Sequence, residues 1–306
     1  MKLKRQLLYT LASALRFLPD ETMLKIQYRI RTGRTLHLDK PQRLTEKIQH
    51  YKAYYRNPLM KQCVDKYAVR EFVKKRMGTD RYLNEVYQIV SRPEEIDFSA
   101  LPGQFVIKTT DGGSGDNILI CRDKDTLDIP KAISDIRQWQ RKKYAVISRE
   151  WAYGTEQGSR ILVEKLLEDP SNPDGSIDDY KFMCFGGKVK RMYVDKGRFS
   201  THIRTIYDEN GEWLKGVEYA YAESDERIPM PGNLTEMISV AEQLAAGFPF
   251  ARIDLYNIQG KVLFGEITFY PASGYSWFNP DTEDIKWGSF FDTESYGEYD
   301  KRRMFH

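Results

Sequence analysis

The chain has 306 residues, 41% of them hydrophobic and 13% aromatic, which excludes a disordered or collagen-like chain and predicts two domains or one with a large extension. The mean hydropathy is −0.60, and no run of about eighteen apolar residues occurs, so we expect no membrane-spanning helix. The net charge of +3 hides a division, because residues 1–81 hold 20 Lys and Arg against 7 Asp and Glu, whereas the other 225 hold 27 against 37.

The N-terminal residues carry the strongest part of this basic excess. Leucines between positions 3 and 18 fall on one face at helical spacing, flanked by lysine and arginine, which predicts a basic amphipathic helix. It either packs on its own domain or lies on an anionic membrane surface. The helical pattern continues over 20–35 and ends near Gly33. Because the basic residues are spread among Tyr and Leu rather than clustered, we expect no nucleic-acid partner.

Between residues 39 and 168 the pattern changes from helical to mixed. The predicted elements are amphipathic helices over 39–81, strands at 82–90, 104–110, 118–123 and 160–168, and a helix over 129–143. The segment 92–103 is either a linker or a turn-helix-turn passage. Three cysteines, odd in number and widely spaced, indicate neither a disulfide framework nor a zinc site. This cysteine usage favours a reducing, cytoplasmic location.

The remaining chain predicts hairpins. A turn-rich acidic loop over 169–179 precedes two strands joined around Gly186-Gly187, and a helix spans 233–247. Two further strands lie within 250–269. Mixed helices and antiparallel hairpins predict an α+β protein rather than a doubly wound sheet.

The hairpin over 250–269 brings polar side chains together. A three-residue loop with Gly260 in the left-handed region would pair Asn257 with Lys261, so that Arg252 faces Glu266. Strand alternation then places two carboxylates, a hydroxyl and an arginine on one face, namely Arg252, Asp254, Glu266 and Thr268. The opposite, core face carries Ala251, Ile253, Leu255, Leu263, Gly265, Ile267 and Phe269. Oxygen ligands of this kind suit Mg²⁺. The alternative is a solvated sheet face with a cross-strand salt bridge.

A glycine-rich loop follows the strand that ends near Lys108. The loop over 111–117 has three glycines in four positions, so its backbone amides can approach a phosphate while Lys108 supplies positive charge. No lysine follows the glycines as in a P-loop, and a strand rather than a helix comes next. A plain hairpin loop is the alternative interpretation.

These segments occur in a recognisable order. A strand lysine before a glycine loop is followed by VEKLLE, DYKF, ARIDLY and GEITFYPASG, which together resemble the ATP-grasp superfamily. Adding KIQHYKAYYRNPLMKQCVDKYAVREFV, REWAY and DYKFMCFGGK, the sequence most resembles the TupA-like (teichuronopeptide biosynthesis type) ATP-grasp family, from about Pro41 to Gly274. The resemblance implies an ATP-grasp fold, in which two α+β subdomains grip ATP, preceded here by the basic helical region.

The resemblance implies which residues would bind ATP. Lys108 and Lys181 would contact its phosphates, and Glu164 would meet the adenine amino group. The backbone of Lys165 and Leu167 would read the ring edge. The lid over the phosphates would be formed by Gly112, Gly113, Ser114 and Gly115. The acid that binds the ribose stays open between Glu168 and Asp169.

The resemblance also implies a metal site. Asp254 and Glu266 would hold Mg²⁺, with Arg252 stabilising charge on the transferred phosphoryl group or on the acyl intermediate. Thr268 stands where ATP-grasp enzymes generally carry an asparagine ligand, which makes it a weaker ligand. Arg252 and Lys181 are therefore the predicted catalytic residues.

The implied organisation has five parts. These are a basic helical extension over 1–35, an N-terminal subdomain over 36–103, a lid subdomain over 104–169, a metal-binding subdomain over 170–290 and a tail over 291–306. The implied activity is an ATP- and Mg²⁺-dependent carboxylate–amine ligase that modifies a surface polysaccharide or its precursor through a sugar-acid or amino-acid carboxylate. The alternatives are an ATP-grasp kinase acting on a sugar hydroxyl and a sugar-nucleotide glycosyltransferase. We expect a cytoplasmic protein, and the membrane alternative for the N-terminal helix would place it at the inner face of the cell membrane.

Overall fold

Two large antiparallel sheets, a two-stranded sheet and the helices packed on them form the structure. It is a computed structural model that describes residues 17–111, 117–141, 148–154, 158–196 and 203–296. The α-helices are α1 Asp20–Thr32, α2 Leu44–Tyr54, α3 Leu59–Val64, α4 Val69–Met77, α5 Ile129–Gln140, α6 Leu234–Ala245 and α7 Thr282–Ser289. The strands are β1 Val86–Val90, β2 Phe105–Thr109, β3 Ile118–Cys121, β4 Ile161–Glu164, β5 Asp179–Phe185, β6 Lys188–Lys196, β7 Ile203–Asp208, β8 Glu218–Tyr219, β9 Phe250–Ile258, β10 Lys261–Thr268 and β11 Phe278–Asn279. The two-stranded sheet is formed by β8 and β11. The α+β class is confirmed.

The four-stranded sheet has the strand order β1-β4-β2-β3, with every pair antiparallel. It encloses a small core of its own with α5 and the adjoining turns, formed by Ile96, Leu101, Phe105, Ile107, Cys121, Ile136, Ile161 and Val163. β1 comes from the segment 36–103, which was assigned to a different subdomain from the lid. The boundary at residue 103 stays a prediction.

The five-stranded sheet has the order β10-β9-β5-β6-β7, again antiparallel throughout. The apolar face of α6, through residues such as Met237, Val240 and Leu244, contributes to its core, which is the largest of the protein. The predicted turn between β5 and β6 is present, with Gly186 and Gly187 at φ of 55° and 77°. The opposite face of this sheet carries polar side chains.

The predicted register of the β9–β10 hairpin is wrong, although its polar face is correct. Gln259 and Gly260, at φ of 51° and 84°, make a two-residue turn that pairs Ile258 with Lys261, a geometry that matches the twist of the strands. A bulge between Phe264 and Glu266 then shifts the register again.

The turn and the bulge each shift the pairing by one residue in the same direction. The total shift is two residues, and because side chains alternate between faces with a period of two, the polar residues return to their predicted face. Glu266 lies opposite Asp254, and Thr268 lies opposite Arg252. Between the turn and the bulge the faces are exchanged, so that Val262 and Phe264 join the core instead of Leu263. Gly265 suits the bulge, because a Cβ there would lie 3.0 Å from the Asp254 carbonyl oxygen.

The N-terminal region is described only from residue 17, so the predicted amphipathic helix over residues 3–18 lies largely outside the described residues. The continuation of that pattern is confirmed as α1, which ends at Gly33 with φ of 75°. α1 packs on α2 through Leu24, Tyr28 and Ala53. Among the described helices, none is both long enough and apolar enough to cross a membrane.

Candidate active site

The polar face of the five-stranded sheet places four functional side chains in one row. Tyr193 on β6 is paired with Lys181 on β5, Lys181 with Asp254 on β9, and Asp254 with Glu266 on β10. Paired residues point to the same face, so the row is a direct consequence of strand register. Arg252 lies two residues before Asp254 on β9 and therefore on the same face.

Asp254 is the most enclosed member of this row. Its carboxylate is 2% exposed and accepts hydrogen bonds from Arg252 Nε at 2.6 Å, Arg252 Nη2 at 2.7 Å and Lys181 Nζ at 2.6 Å. Lys181 also contacts Asp179, so its ammonium lies between two carboxylates. Burial raises the pKa of Asp254 to about 6, although Arg252 and Lys181 oppose this shift. The structure therefore brings the two predicted catalytic residues, Arg252 and Lys181, to the same carboxylate.

Glu266 lies beside this cluster but is much more exposed than Asp254. Its Oε1 accepts hydrogen bonds from Arg252 Nη2 at 2.8 Å and from Thr268 Oγ1 at 3.1 Å, and its side chain is 43% exposed. The surrounding protein opposes ionisation, but the charges of Arg252, Lys66 and Lys181 outweigh this and lower the pKa of Glu266 to about 2. Glu266 is therefore an ionised carboxylate that a ligand can reach from solvent.

The donor set on this face fits Mg²⁺. Asp254 and Glu266 accept hydrogen bonds from the same guanidinium nitrogen of Arg252, and Thr268 adds a hydroxyl 3.1 Å from that nitrogen. No group of three or more His, Cys, Asp or Glu side chains with metal-binding geometry occurs among the described residues. Mg²⁺ commonly takes only one or two carboxylates and completes its shell with water and phosphate oxygens. Metal binding by Asp254, Glu266 and Thr268 stays a prediction that this geometry supports.

The four-stranded sheet holds the residues predicted to bind the nucleotide. Lys108 on β2 forms an ion pair with Glu164 on β4, and their side chains are 23% and 12% exposed. The backbone N–H of Lys165 donates to the Glu85 carbonyl at 2.9 Å, and the Lys165 carbonyl accepts from Asn84 at 2.8 Å. A carbonyl oxygen has a second lone pair, so contact with an adenine amino group stays compatible with this arrangement.

The structure describes the other residues predicted to bind the nucleotide only in part. Gly112 to Gly115 lie outside the described residues, and Leu167 lies beyond the end of β4. Of the two acids considered for the ribose, Glu168 pairs with Arg122 near the surface. Asp169 is buried, and its carboxylate accepts from the backbone and hydroxyl of Ser171. The choice between the two acids stays open.

Lys66 was not predicted from the sequence as a site residue. In the structure it links the two sheets. It lies between α3 and α4, and its backbone N–H donates to the Thr110 carbonyl at 2.9 Å. Burial lowers the pKa of its ammonium, which also interacts electrostatically with Glu266 and Lys108. A single lysine between two short helices carries no sequence signal. Only the chain path places it between the predicted phosphate and metal residues.

Two antiparallel α+β units, one carrying a lysine and an acid and the other two carboxylates with an arginine, have the arrangement of the ATP-grasp class of enzymes. The family model for TupA-like ATPgrasp matches residues 46–292. The chain belongs to this family, and with it to the ATP-grasp class of enzymes. The family, fold class and enzyme class inferred from the sequence are thereby confirmed.

Several solved structures are similar over part of the chain. D-alanine–D-alanine ligase from Bacillus anthracis is 18% identical, over 68% of this chain and 57% of that one, with a TM-score of 0.39. D-cycloserine synthetase DcsG is 13% identical, over 76% and 70%, with a TM-score of 0.43. N5-carboxyaminoimidazole synthetase from Staphylococcus aureus, complexed with ADP, is 13% identical, over 68% and 44%, with a TM-score of 0.40.

The match spans little more than half the length of the Bacillus anthracis ligase. No curated protein matches the sequence.

Proposed function

We propose that the protein is an ATP- and Mg²⁺-dependent carboxylate–amine ligase. The observation that carries this proposal is Glu266, an exposed carboxylate that is kept ionised by Arg252, which also holds the buried Asp254. Lys66 interacts electrostatically both with Glu266 and with Lys108 of the four-stranded sheet. These residues therefore combine acidic oxygens suited to a metal with cations suited to phosphates.

The chemistry of the site suits phosphoryl transfer followed by amide formation. An acceptor carboxylate oxygen attacks the γ-phosphorus of ATP and ADP leaves, which gives an acylphosphate. An amine then attacks the acyl carbon, and phosphate and a proton are released. When bound, Mg²⁺ would neutralise charge on the phosphates and would be held by Asp254, Glu266 and Thr268. Arg252 and Lys181 are fixed by hydrogen bonds before substrates bind, so they can stabilise developing charge without reorganisation.

The pathway and the location are further parts of the proposal. The resemblance to TupA-like proteins supports a surface polysaccharide or its precursor as the acceptor. The charge of +13 over residues 1–81, from 20 basic against 7 acidic residues, supports an anionic membrane surface as the place of action at the cytoplasmic face. We infer that the protein works as a peripheral enzyme of cell-envelope synthesis.

Nucleotide specificity tests the first step. We expect ATP–Mg²⁺ to raise the melting temperature, and UDP- and GDP-sugars to leave it unchanged. Stabilisation by a sugar nucleotide alone would indicate a glycosyltransferase instead. The matched control is Glu94→Gln, an acid on the surface paired with Arg137, which we expect to leave the response to ATP–Mg²⁺ intact.

Product analysis separates the ligase from a kinase. We expect ADP release to require both an acid and an amine, with an amide as the product. Release of ADP with a phosphorylated sugar and no amide would replace the ligase by a kinase acting on a hydroxyl, since both reactions use the same phosphate and metal residues.

A further inference from the structure

The Arg252 guanidinium has four partners among the described side chains, and one of them differs from the rest. Nε and Nη2 donate to the Asp254 carboxylate at 2.6 and 2.7 Å, and Nη2 also lies within 3.1 Å of the Glu266 and Thr268 oxygens. These three residues are the predicted metal ligands. Nη1 donates instead to the Tyr193 hydroxyl, in a long hydrogen bond of 3.4 Å. Tyr193 is therefore the partner of Arg252 that a metal ion would not engage.

A divalent cation on the predicted ligands would weaken their hold on the guanidinium. A carboxylate oxygen that coordinates the cation offers less negative charge to Arg252, and the cation also repels Arg252 directly. Burial raises the pKa of Tyr193 to about 12, although Arg252 and Arg204 oppose this shift. The phenol is therefore neutral at physiological pH and accepts from Nη1 whether or not the cation is bound.

The Tyr193 ring is itself held in one orientation on β6. The residue is 1% exposed, and the guanidinium carbon of Arg204 lies over the ring, 4.2 Å from its centroid. The ring of Tyr219 packs against it edge-on, with centroids 5.6 Å apart and planes at 66°. A cation over the ring and an aromatic neighbour at its side restrict its rotation. The direction of the hydroxyl is thus set from outside the charged row.

Arg204 on β7 is fixed in turn by Asp195, with which it is paired on β6. Its Nε and Nη2 donate to the two carboxylate oxygens at 2.6 and 2.8 Å, and its Nη1 donates to the Tyr219 carbonyl at 2.8 Å. Both side chains of the pair are 6% exposed. A bidentate pair of this kind fixes the plane of the guanidinium. A series of buried contacts therefore runs from Asp195 through Arg204 and Tyr193 to Arg252.

We propose that Tyr193 is a positioning residue for Arg252. Its hydroxyl, oriented by Arg204 and Asp195, keeps the guanidinium in place when Mg²⁺ and the nucleotide occupy the carboxylates. Arg252 then meets the transferred phosphoryl group in the orientation that it has in the free protein. This inference rests on the proposed ligase function, and it gives a role to three residues that lie outside the sequence motifs of the site.

Binding of a mimic of the phosphoryl group tests this role. The full chain is titrated calorimetrically with ADP and Mg²⁺, with and without aluminium fluoride, which takes the place of the transferred group. In wild type we expect aluminium fluoride to tighten ADP binding at least about tenfold, since the site stabilises that group. In Tyr193→Phe this gain should be at least about fivefold smaller, as expected for one lost hydrogen bond of a charged group. Binding of ADP and Mg²⁺ alone should change by less than about twofold, which a general loss of structure would not produce.

Arg204→Lys tests the support behind Tyr193. Lysine keeps a positive charge beside Asp195 but loses the bidentate pair and the planar contact with the ring. The gain from aluminium fluoride should therefore fall about threefold. An unchanged gain would contradict the part of Arg204 and Asp195 in the proposal.

Tyr207→Phe is the matched control. Tyr207 lies on β7 of the same sheet and is paired with Met192, so it points to the face opposite to Tyr193. Its buried hydroxyl donates to the Ile228 carbonyl. This variant should lower the melting temperature and keep the full gain from aluminium fluoride. If it reduced the gain as much as Tyr193→Phe does, the effect would be a general loss of structure and the proposal would be wrong.

The two proposals fail in different ways. If wild type does not bind ADP with Mg²⁺, or binds it without any gain from aluminium fluoride, the proposed ligase function is wrong, and the positioning role with it. If wild type shows the gain and Tyr193→Phe keeps it in full, the phosphoryl-transfer site stands and the positioning role of Tyr193 is wrong.

Discussion

The charged residues of the two sheets differ in burial and in the number of their partners. On the five-stranded sheet, Asp254 is 2% exposed and shares hydrogen bonds with Arg252 and Lys181, so several charges neutralise one another across neighbouring strands. On the four-stranded sheet, Lys108 and Glu164 form a single pair and are 23% and 12% exposed. The first arrangement is fixed before a substrate binds, as expected for the centre of charge development. The second leaves each side chain with one partner that a nucleotide can replace.

The largest expected difference concerns stability. Asp254→Asn leaves buried cations with less compensation and should lower the free energy of unfolding by about 3 kcal/mol. Glu164→Gln, in the partly exposed pair, should lower it by less than about 1 kcal/mol. Urea denaturation at pH 7 measures both. Equal losses would mean that the two sheets hold their charges with similar strength.

Lys52 on α2 binds the turn that follows β10 through the Ser273 carbonyl. Its contribution to the folding stability depends on pH. Burial lowers the pKa of Lys52 to about 8, against 10.5 in an unfolded chain. Between these values the unfolded chain binds a proton that the folded chain has lost, so the folding stability that depends on Lys52 rises with pH.

Lys52→Met removes the titrating ammonium group. Wild type should therefore gain up to about 2–3 kcal/mol over Lys52→Met between pH 8 and pH 10. Denaturation curves of the two proteins at several pH values measure the gap. The other titrating groups are common to both proteins, and a gap that stays constant would show that Lys52 is not deprotonated in this range.

The smallest effect concerns nucleotide binding by the four-stranded sheet. Lys108→Met should weaken ATP–Mg²⁺ binding about tenfold, as expected for one lost charge-assisted contact, with little change in stability. Lys131→Met on α5 of the same unit is the control, because Lys131 is 67% exposed and pairs only locally with Asp135. If Lys108→Met binds ATP–Mg²⁺ as tightly as wild type, Lys108 does not contact the phosphates.

Local patterns in the sequence were enough to predict most of the elements and the residues of the polar face. Alternation along β9 and β10 placed Arg252 beside Glu266, and the glycines at 186 and 187 predicted the turn they form. The order of the motifs predicted the family. Each of these features depends on residues close together in the chain or on the linear order of segments.

The features that were missed depend on distant contacts. The bulge at Gly265 fits a close approach to the Asp254 carbonyl, which no propensity predicts. Lys52 is an ordinary helical lysine in the sequence and becomes a buried tie only because the turn at Ser273 folds onto it. Lys66 gains its position from a chain path that joins helices to the edge of the four-stranded sheet.

The central claim is that the polar face of the five-stranded sheet binds the metal and phosphates of ATP. Calorimetric titration with ATP, with and without Mg²⁺, tests it on wild type and Glu266→Gln. Because Glu266 is 43% exposed, the variant should remain folded. We expect Mg²⁺ to tighten ATP binding at least about tenfold in wild type and to have little effect in Glu266→Gln. An equal Mg²⁺ dependence in both proteins would contradict the account.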